Sequence, residues 1–176
     1  IRSFFISQFH LLSMNTLTNN FDLINIKTGE IKSFASGLPL IEEVGWQTNL
    51  IKINDSMWAF NCKSKGFYLL FIDTLQKTVR FSPQKYFNDY VCNSILSDRN
   101  GRLWIGTPKG LFMEKKNPGI ISSFAVYNTH QSSDFAITGL YISSDKIFAG
   151  TDKEEILVLY KQTKKTISRI HLERVY

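Results

Sequence analysis

Apolar and polar residues alternate with a period of two in short runs along the chain, and clusters of Gly, Asn, Asp, Ser and Pro separate the runs. The clearest stretch is Ile95 to Met113, reading ILSDRNGRLWIGTPKGLFM. Within Arg102 to Thr107, Leu103 and Ile105 fall on one face while Trp104 and Gly106 fall on the other, as strand geometry requires. A strand apolar on both faces belongs to a sheet covered on both sides. Asp98-Arg99-Asn100-Gly101 before it is a turn in which Asp bonds its own backbone and Asn-Gly takes φ > 0. Cys92 to Ser97 pairs back across that turn. Thr107-Pro108-Lys109-Gly110 makes the next turn, Leu111 to Lys115 a third strand and Ile121 to Tyr127 a fourth.

Fainter copies flank this unit. Taking Trp104 as the anchor, the bulky apolar residues at the same place are Leu12, Trp58 and Phe148, with separations of 46, 46 and 44. A period near 45, with several short strands in each copy, predicts an all-β array of β-propeller blades, four repeats of four antiparallel strands. The approximate blades are 1–37, 38–82, 83–127 and 128–176, one segment of a larger propeller. The first copy has strands Ser3 to Ser7, His10 to Asn15, Phe21 to Lys27 and Glu30 to Phe34. In the second they are Leu50 to Ile53, Met57 to Cys62, Phe67 to Asp73 and Thr78 to Phe81, and in the fourth Thr138 to Ile142, Lys146 to Thr151, Glu155 to Lys161 and Thr166 to Ile170. Ala35 to Gln47, Ser82 to Val91 and Asn128 to Ala136 read as connections between blades, and Pro83 to Phe87 as a helical turn.

Composition is that of an ordinary globular protein, 43% hydrophobic and 14% aromatic over 176 residues. No run approaches the roughly 20 apolar residues of a membrane span, and Ile1-Arg2-Ser3-Phe4-Phe5 is not a signal peptide. The chain reads as a piece of a longer protein. Net charge is +6, which raises a nucleic-acid reading, but it divides as −1 for residues 1–47, +3 for 48–91, +2 for 92–135 and +2 for 136–176. Nothing gathers into a basic stripe, so no nucleic-acid partner is expected. The densest run, Lys161, Lys164, Lys165 and Arg169, reads as solvated charge on an edge strand. Cys62 and Cys92 are too few for a metal framework. A bridge between them and two buried thiols both remain open.

The motif residues have structural readings. Trp104, Trp58 and Phe148 fill the space between sheets, Gly106 and Gly150 admit a neighbouring sheet, Gly101 and Gly110 serve turns, Asp98 caps its turn, and Thr107 is a further structural motif residue at the start of the next turn. Ligand-binding candidates come from loops expected at one end of the blades: Trp46, Lys63, Tyr86, Lys109, His130 and Asp152. Aromatic faces and charged groups of this kind suit a sugar. Catalysis is the weaker reading. A glycosidase or lyase needs paired carboxylates; Glu43, Asp89 and Asp134 lie near blade entries, but three acids near loops are expected by chance, and the pairs Glu42-Glu43 and Glu154-Glu155 would diverge in strands. His10, His130 and His171 have no metal spacing, so no metal, cofactor or catalytic residue is expected. A protein-interaction scaffold is the alternative from another class.

Asp98-Arg99-Asn100-Gly101-Arg102-Leu103-Trp104-Ile105-Gly106-Thr107-Pro108-Lys109-Gly110-Leu111 resembles the repeat of two-component regulator propellers: Asp, two variable positions, Gly, one variable, Leu-Trp-Ile-Gly-Thr, two variable, Gly-Leu. Trp58-Ala59-Phe60-Asn61, Phe148-Ala149-Gly150-Thr151 and Leu12-Ser13-Met14-Asn15 depart from it and keep the spacing. The resemblance implies a non-catalytic, periplasmic sensor region of a Bacteroidetes hybrid two-component histidine kinase that responds to oligosaccharides. It also implies a parent anchored by a membrane helix, with the remaining blades or a second copy as partners. No kinase His box, phosphate-cradling glycine loop or receiver aspartate cluster is present in the chain itself.

Overall fold

A computed structural model describes residues 1–45, 48–114 and 135–172, and the backbone of 121–124. The chain divides into two compact units, Ile1–Asp89 and Tyr90–Tyr176. The first holds a sheet of β1 (Arg2–Ser7), β2 (His10–Asn15), β3 (Asn20–Asn25) and β4 (Ile31–Ala35), then a helical turn α1 (Leu40–Glu43). A second sheet follows, of β5 (Leu50–Lys52), β6 (Met57–Asn61), β7 (Lys65–Asp73) and β8 (Thr78–Phe81). The connection read at Ser82–Val91, with a helical turn at Pro83–Phe87, instead carries no helix and ends in a strand, β9 (Tyr86–Val91), which pairs with β7 beside β6 and β8. The reason is local: Phe87 sits at φ 61 and breaks any helical run, and a free stretch of β7 supplies backbone partners. The second unit holds β10 (Ser94–Ser97), β11 (Leu103–Thr107), β12 (Gly110–Glu114) and β13 (Ile121–Phe124), then β14 (Ile137–Ile142), β15 (Lys146–Thr151), β16 (Glu155–Tyr160) and β17 (Thr166–His171). Every ladder given within these four sheets is antiparallel between consecutive strands, so each sheet is a propeller blade of the up-and-down type.

Side-chain amides and carboxylates set where strands stop. Asn15 Oδ1 accepts the backbone N–H groups of Leu17 and Thr18, Asn25 those of Lys27 and Thr28, Asn54 those of Ser56 and Met57, and Asp73 those of Leu75 and Gln76, at 2.9–3.3 Å. One short polar side chain thereby satisfies two donors that the ladder has released. In the first unit, Leu12, Met14, Phe21 and Leu23 of one sheet form a single buried cluster with Trp58, Phe60, Tyr68, Leu70 and Ile72 of the next. Phe21 and Phe81 meet across them with ring centroids 4.8 Å apart. In the second unit Trp104 and Leu111 of the third sheet cluster with Ile137, Ile147, Ala149, Leu157 and Leu159 of the fourth. Each fully buried Leu, Ile or Phe contributes about 1.5–3 kcal/mol, so these two clusters are the main stabilising elements.

The face assignments correct one equivalence. Trp104 lies on the face that packs against the following sheet, whereas Trp58 lies with Phe60 and Leu70 on the face that packs against the preceding one. Equal spacing has concealed a one-residue slip, and a slip of one residue exchanges the faces of a strand. The indole N–H of Trp58 is buried without a hydrogen-bond partner among the described residues. Phe148 shares the face class of Trp104, opposite the Ile147 and Ala149 face that packs against the third sheet. It is half-buried beside Tyr141, which is 64% exposed. In the first unit Phe5, Leu11, Ile24 and Ile31 form an apolar row across the first sheet, with Phe5 71% exposed.

Gly106 and Gly150 differ for the same reason. A Cβ on Gly106 would stand 2.5 Å from Cγ2 of Ile137 on the neighbouring sheet, while at Gly150 the nearest atoms are 3.9 Å away. Gly106→Ala should therefore lose about 1–3 kcal/mol through forced separation of the two sheets, and Gly150→Ala should be near neutral. Urea midpoints of the two variants check this, and equal values would contradict the close approach.

Candidate functional site

Three constellations stand out. The first gathers around Asp98 at the mouth of the β10–β11 turn. Its Oδ1 accepts the backbone N–H groups of Asn100 at 2.9 Å and Arg102 at 3.1 Å, and its Oδ2 accepts from Arg102 Nε at 3.0 Å and from the Trp104 indole at 3.1 Å. Arg102 Nη2 lies at 2.8 Å, and Lys161 reaches in from the fourth sheet to 3.4 Å. Burial raises the carboxyl pKa, but these donors outweigh it and hold the value at about 2. Lys161 is therefore not a solvated edge charge as its sequence setting suggests. Its neighbour Lys164 stands 5.1 Å from the Trp104 ring, because the β16–β17 turn reaches the third sheet, and Arg169 is 3.9 Å from Glu155 on the adjacent strand of its own sheet. Lys165 alone of that run is exposed. Thr107 closes the next turn, accepting from Lys109 N and donating to the Gly110 carbonyl, both at 3.0 Å. Gly101 and Gly110 have φ of +72 and +116, which is why glycine occupies both. This constellation joins two sheets, with the Asp98 carboxylate committed to partners within the protein.

The second lies in the first unit, where the end of α1, the β6–β7 loop and the approach to β9 meet. Glu43 Oε1 accepts from Lys85 Nζ at 2.7 Å and Oε2 accepts from Ser64 Oγ at 2.6 Å, while Lys85 also contacts Ser64 Oγ at 2.7 Å. Lys85 stands 5.4 Å from the Tyr68 ring. Burial raises the Glu43 pKa, yet bonds from Lys85 and Ser64 bring it below the ordinary value. For Lys85, burial lowers the pKa and the bond to Glu43 raises it above the ordinary value. Glu43 is thus an ionised acceptor and Lys85 a charged donor. Neither is poised for proton transfer at neutral pH.

Glu43 contributes stability above pH 4.5 that disappears as pH falls through its lowered folded value. Lys85 contributes stability below pH 10.5 that disappears as pH rises through its raised one. Lys85→Met should cost about 1–3 kcal/mol by stranding a mostly buried carboxylate, and Glu43→Gln should flatten the acid limb of stability. Chemical denaturation at pH 3, 5 and 7 measures both, and an unchanged acid limb in Glu43→Gln would remove this account.

The third is an open-sided groove of about 470 Å³, also in the first unit, lined by Phe71, Arg80, Phe81, Ser82, Pro83 and Tyr86. The ladder places Phe71 directly across from Arg80. Phe81 is fixed from behind by Phe21, Phe60 and Tyr68. Tyr86 is half-buried and stacks on Phe67 at 5.7 Å.

The ligand candidates read from sequence do not converge. Trp46 and His130 lie outside the described residues, as does Asp134. Lys63 is exposed beside the Glu43 network, with its backbone N–H on the Glu43 carbonyl at 2.6 Å, and Tyr86 lines the groove. In the second unit Lys109 stands 5.6 Å from the Tyr90 ring, and Asp152 spends Oδ1 on the backbone N–H of Ala136 at 2.9 Å. Sequence reasoning missed Ser64, Lys85, Phe71 and Arg80. Pairing Phe67–Asp73 with Thr78–Phe81 in register would have shown the last two as neighbours. Glu42 and Glu43 diverge through a helical turn rather than a strand, one exposed and the other buried. Cys62 and Cys92 are buried as thiols. Among the described residues no group of three His, Cys, Asp or Glu could hold a metal ion, and no helix is long and apolar enough to cross a membrane.

Residues 85–109 match the family described as two component regulator propeller. No curated protein matches the chain. Over 96% of its length the fold is similar to the extracellular domain described as that of a hybrid two component system of B. thetaiotaomicron, at TM-score 0.65 and 12% identity. A second structure, described as the extracellular domain of a one component system of B. thetaiotaomicron, matches over the same share at TM-score 0.64 and 12% identity. The chain spans 22% of the length of each. The match at 85–109 falls within a chain of four antiparallel sheets, so the chain carries the two component regulator propeller repeat in an all-β fold.

Proposed function

We propose that this chain is a non-catalytic ligand-recognition segment of an extracytoplasmic sensor in a two-component signalling protein, with an oligosaccharide as its signal. The observation that carries the reading is the regulator repeat at 85–109, supported by the likeness of nearly the whole chain to extracellular domains of signalling systems. The chemistry is compatible. Glu43 and Asp98, the two acids held most firmly by neighbours, are both locked ionised in structural networks, so neither serves as a general acid. A periplasmic location and a membrane-anchored kinase in the parent follow from the same reading. The exposed rows at Phe5–Ile31 and Tyr141–Phe148 would then receive further blades or a second copy of the chain, since equivalent faces inside each unit are covered by a neighbouring sheet. Those same faces favour the second reading, a protein-interaction scaffold.

Thermal unfolding against an oligosaccharide panel separates the two readings. A ligand at about 100 times its Kd adds about 2.7 kcal/mol and raises Tm by several degrees. A flat response across neutral and acidic glycans would favour the scaffold and remove the sensor reading.

A further inference from the structure

We infer that the groove between Phe71 and Tyr86 is a subsite for an acidic pyranose, a sugar ring carrying a carboxylate or sulfate. The inference rests on the sensor reading and adds the place and the chemical class. Phe71 lies mid-strand with 39% of its surface exposed, and Arg80 faces it across the ladder. Directly opposed strand residues hold their Cβ atoms about 4.5–5.5 Å apart, so ring and guanidinium stand side by side on one sheet face. Arg80 is exposed and belongs to none of the ion pairs among the described residues, whereas Arg102, Lys85 and Lys77 are each matched by a carboxylate.

Among the described residues that line the groove there is no acid. Asp73, two positions along the same face, has Oδ1 committed to the turn amides of Leu75 and Gln76. Ser82 Oγ is likewise committed, donating to the Gln84 carbonyl. Tyr86 is held by its stacking on Phe67, and Phe81, next to Arg80 on the strand, anchors the groove's edge by turning its ring to the opposite face among three core rings. A groove of about 470 Å³ lies within the roughly 300–1,000 Å³ of small-molecule sites. Aromatic faces accept the apolar face of a pyranose, while a guanidinium fork matches a planar carboxylate or a sulfate with two parallel bonds. A neutral sugar would leave that fork unmatched, so charge complementarity selects the acidic ring.

Calorimetric titration of the whole chain with tetragalacturonate, its methyl ester and a chondroitin sulfate tetrasaccharide tests this. At least one acidic probe should bind with Kd below about 1 mM, and Arg80→Gln should weaken it about tenfold or more, the loss expected for charge-assisted bonds. If tetragalacturonate is that probe, its ester should lose a similar factor. Phe71→Ala should weaken every bound probe, because it removes the stacking face. Both positions are exposed, and unliganded Tm values confirm folding. Unchanged affinity in Arg80→Gln, or no binding of either acidic probe, would overturn the subsite. Binding of a neutral glycan unaffected by both variants would also overturn it while leaving the sensor reading intact.

Discussion

Trp104→Ala is expected to remove about 3–5 kcal/mol, a large fraction of the roughly 5–15 kcal/mol that holds a domain together. Trp104 is fully buried where the third sheet meets the fourth, among Leu111, Ile137, Ile147, Ala149 and Leu157. Truncation opens a cavity between two sheets whose backbones are already held close at Gly106, which limits collapse into the space. It also withdraws one donor from a buried carboxylate. The comparison with Trp58 separates packing from hydrogen bonding. Trp104→Phe should cost about 1–2 kcal/mol beyond its lost area, because Asp98 loses the indole N–H. Trp58→Phe should show no such excess, since its indole N–H has no partner among the described residues. Urea unfolding of the four proteins gives the ordering, and an equal cost for the two Phe variants would contradict the role assigned to Asp98.

That contrast also shows what the sequence could convey. Apart from β9, and the 125–127 end of the strand read from Ile121, which lies outside the described residues, strand positions were legible to within one or two residues, because period-two alternation and turn residues such as Asn54, Asp73 and Asn100-Gly101 act locally. The equivalence of the anchors was legible in spacing and not in facing. Trp58 and Trp104 stand 46 residues apart, yet a shift of one residue exchanges the faces of a strand, and spacing along the chain does not register that shift. Pro83–Phe87 misled for a similar reason. Its conformation depends on the positive φ of Phe87 and on an available edge of β7, and neither is written in five residues.

The candidate site was less legible than the fold. Tyr86 was identifiable as an aromatic near a blade entry, yet its significance depends on Phe71 and Arg80, which lie on strands and not on the loops where ligands were sought. The Glu43–Ser64–Lys85 network joins positions 21 and 42 residues apart in sequence, and no local pattern announces such a pairing. Lys161 illustrates the converse. A run of cations on a last strand reads as solvated, but the hairpin that carries it bends back onto a buried aspartate.

Asp98→Ala is expected to cost about 3–5 kcal/mol, comparable with the loss of Trp104 by a different route. The Asp98 side chain is wholly buried and is the acceptor for two backbone amides, the Arg102 guanidinium, the Trp104 indole and the Lys161 ammonium. Removing it leaves Arg102 and Lys161 in a partly buried site with like charge and no counter-ion, and Lys164 adds to the repulsion. Burial lowers the Lys164 pKa most, followed by its cationic neighbours Arg102 and Lys161. Asp98→Asn keeps the oxygen that serves the turn amides and loses the charge, so it should retain the turn and lose about 2–3 kcal/mol. The pH dependence identifies the carboxylate as the cause. With a folded pKa of about 2 against an ordinary 3.8, Asp98 contributes about 2 kcal/mol above pH 3.8. That contribution disappears as pH falls from near 4 towards 2. Denaturation midpoints measured from pH 7 down to 2 should therefore converge for wild type and Asp98→Asn at the acid end. Parallel curves across the whole range would show that the carboxylate charge does not hold these two sheets together.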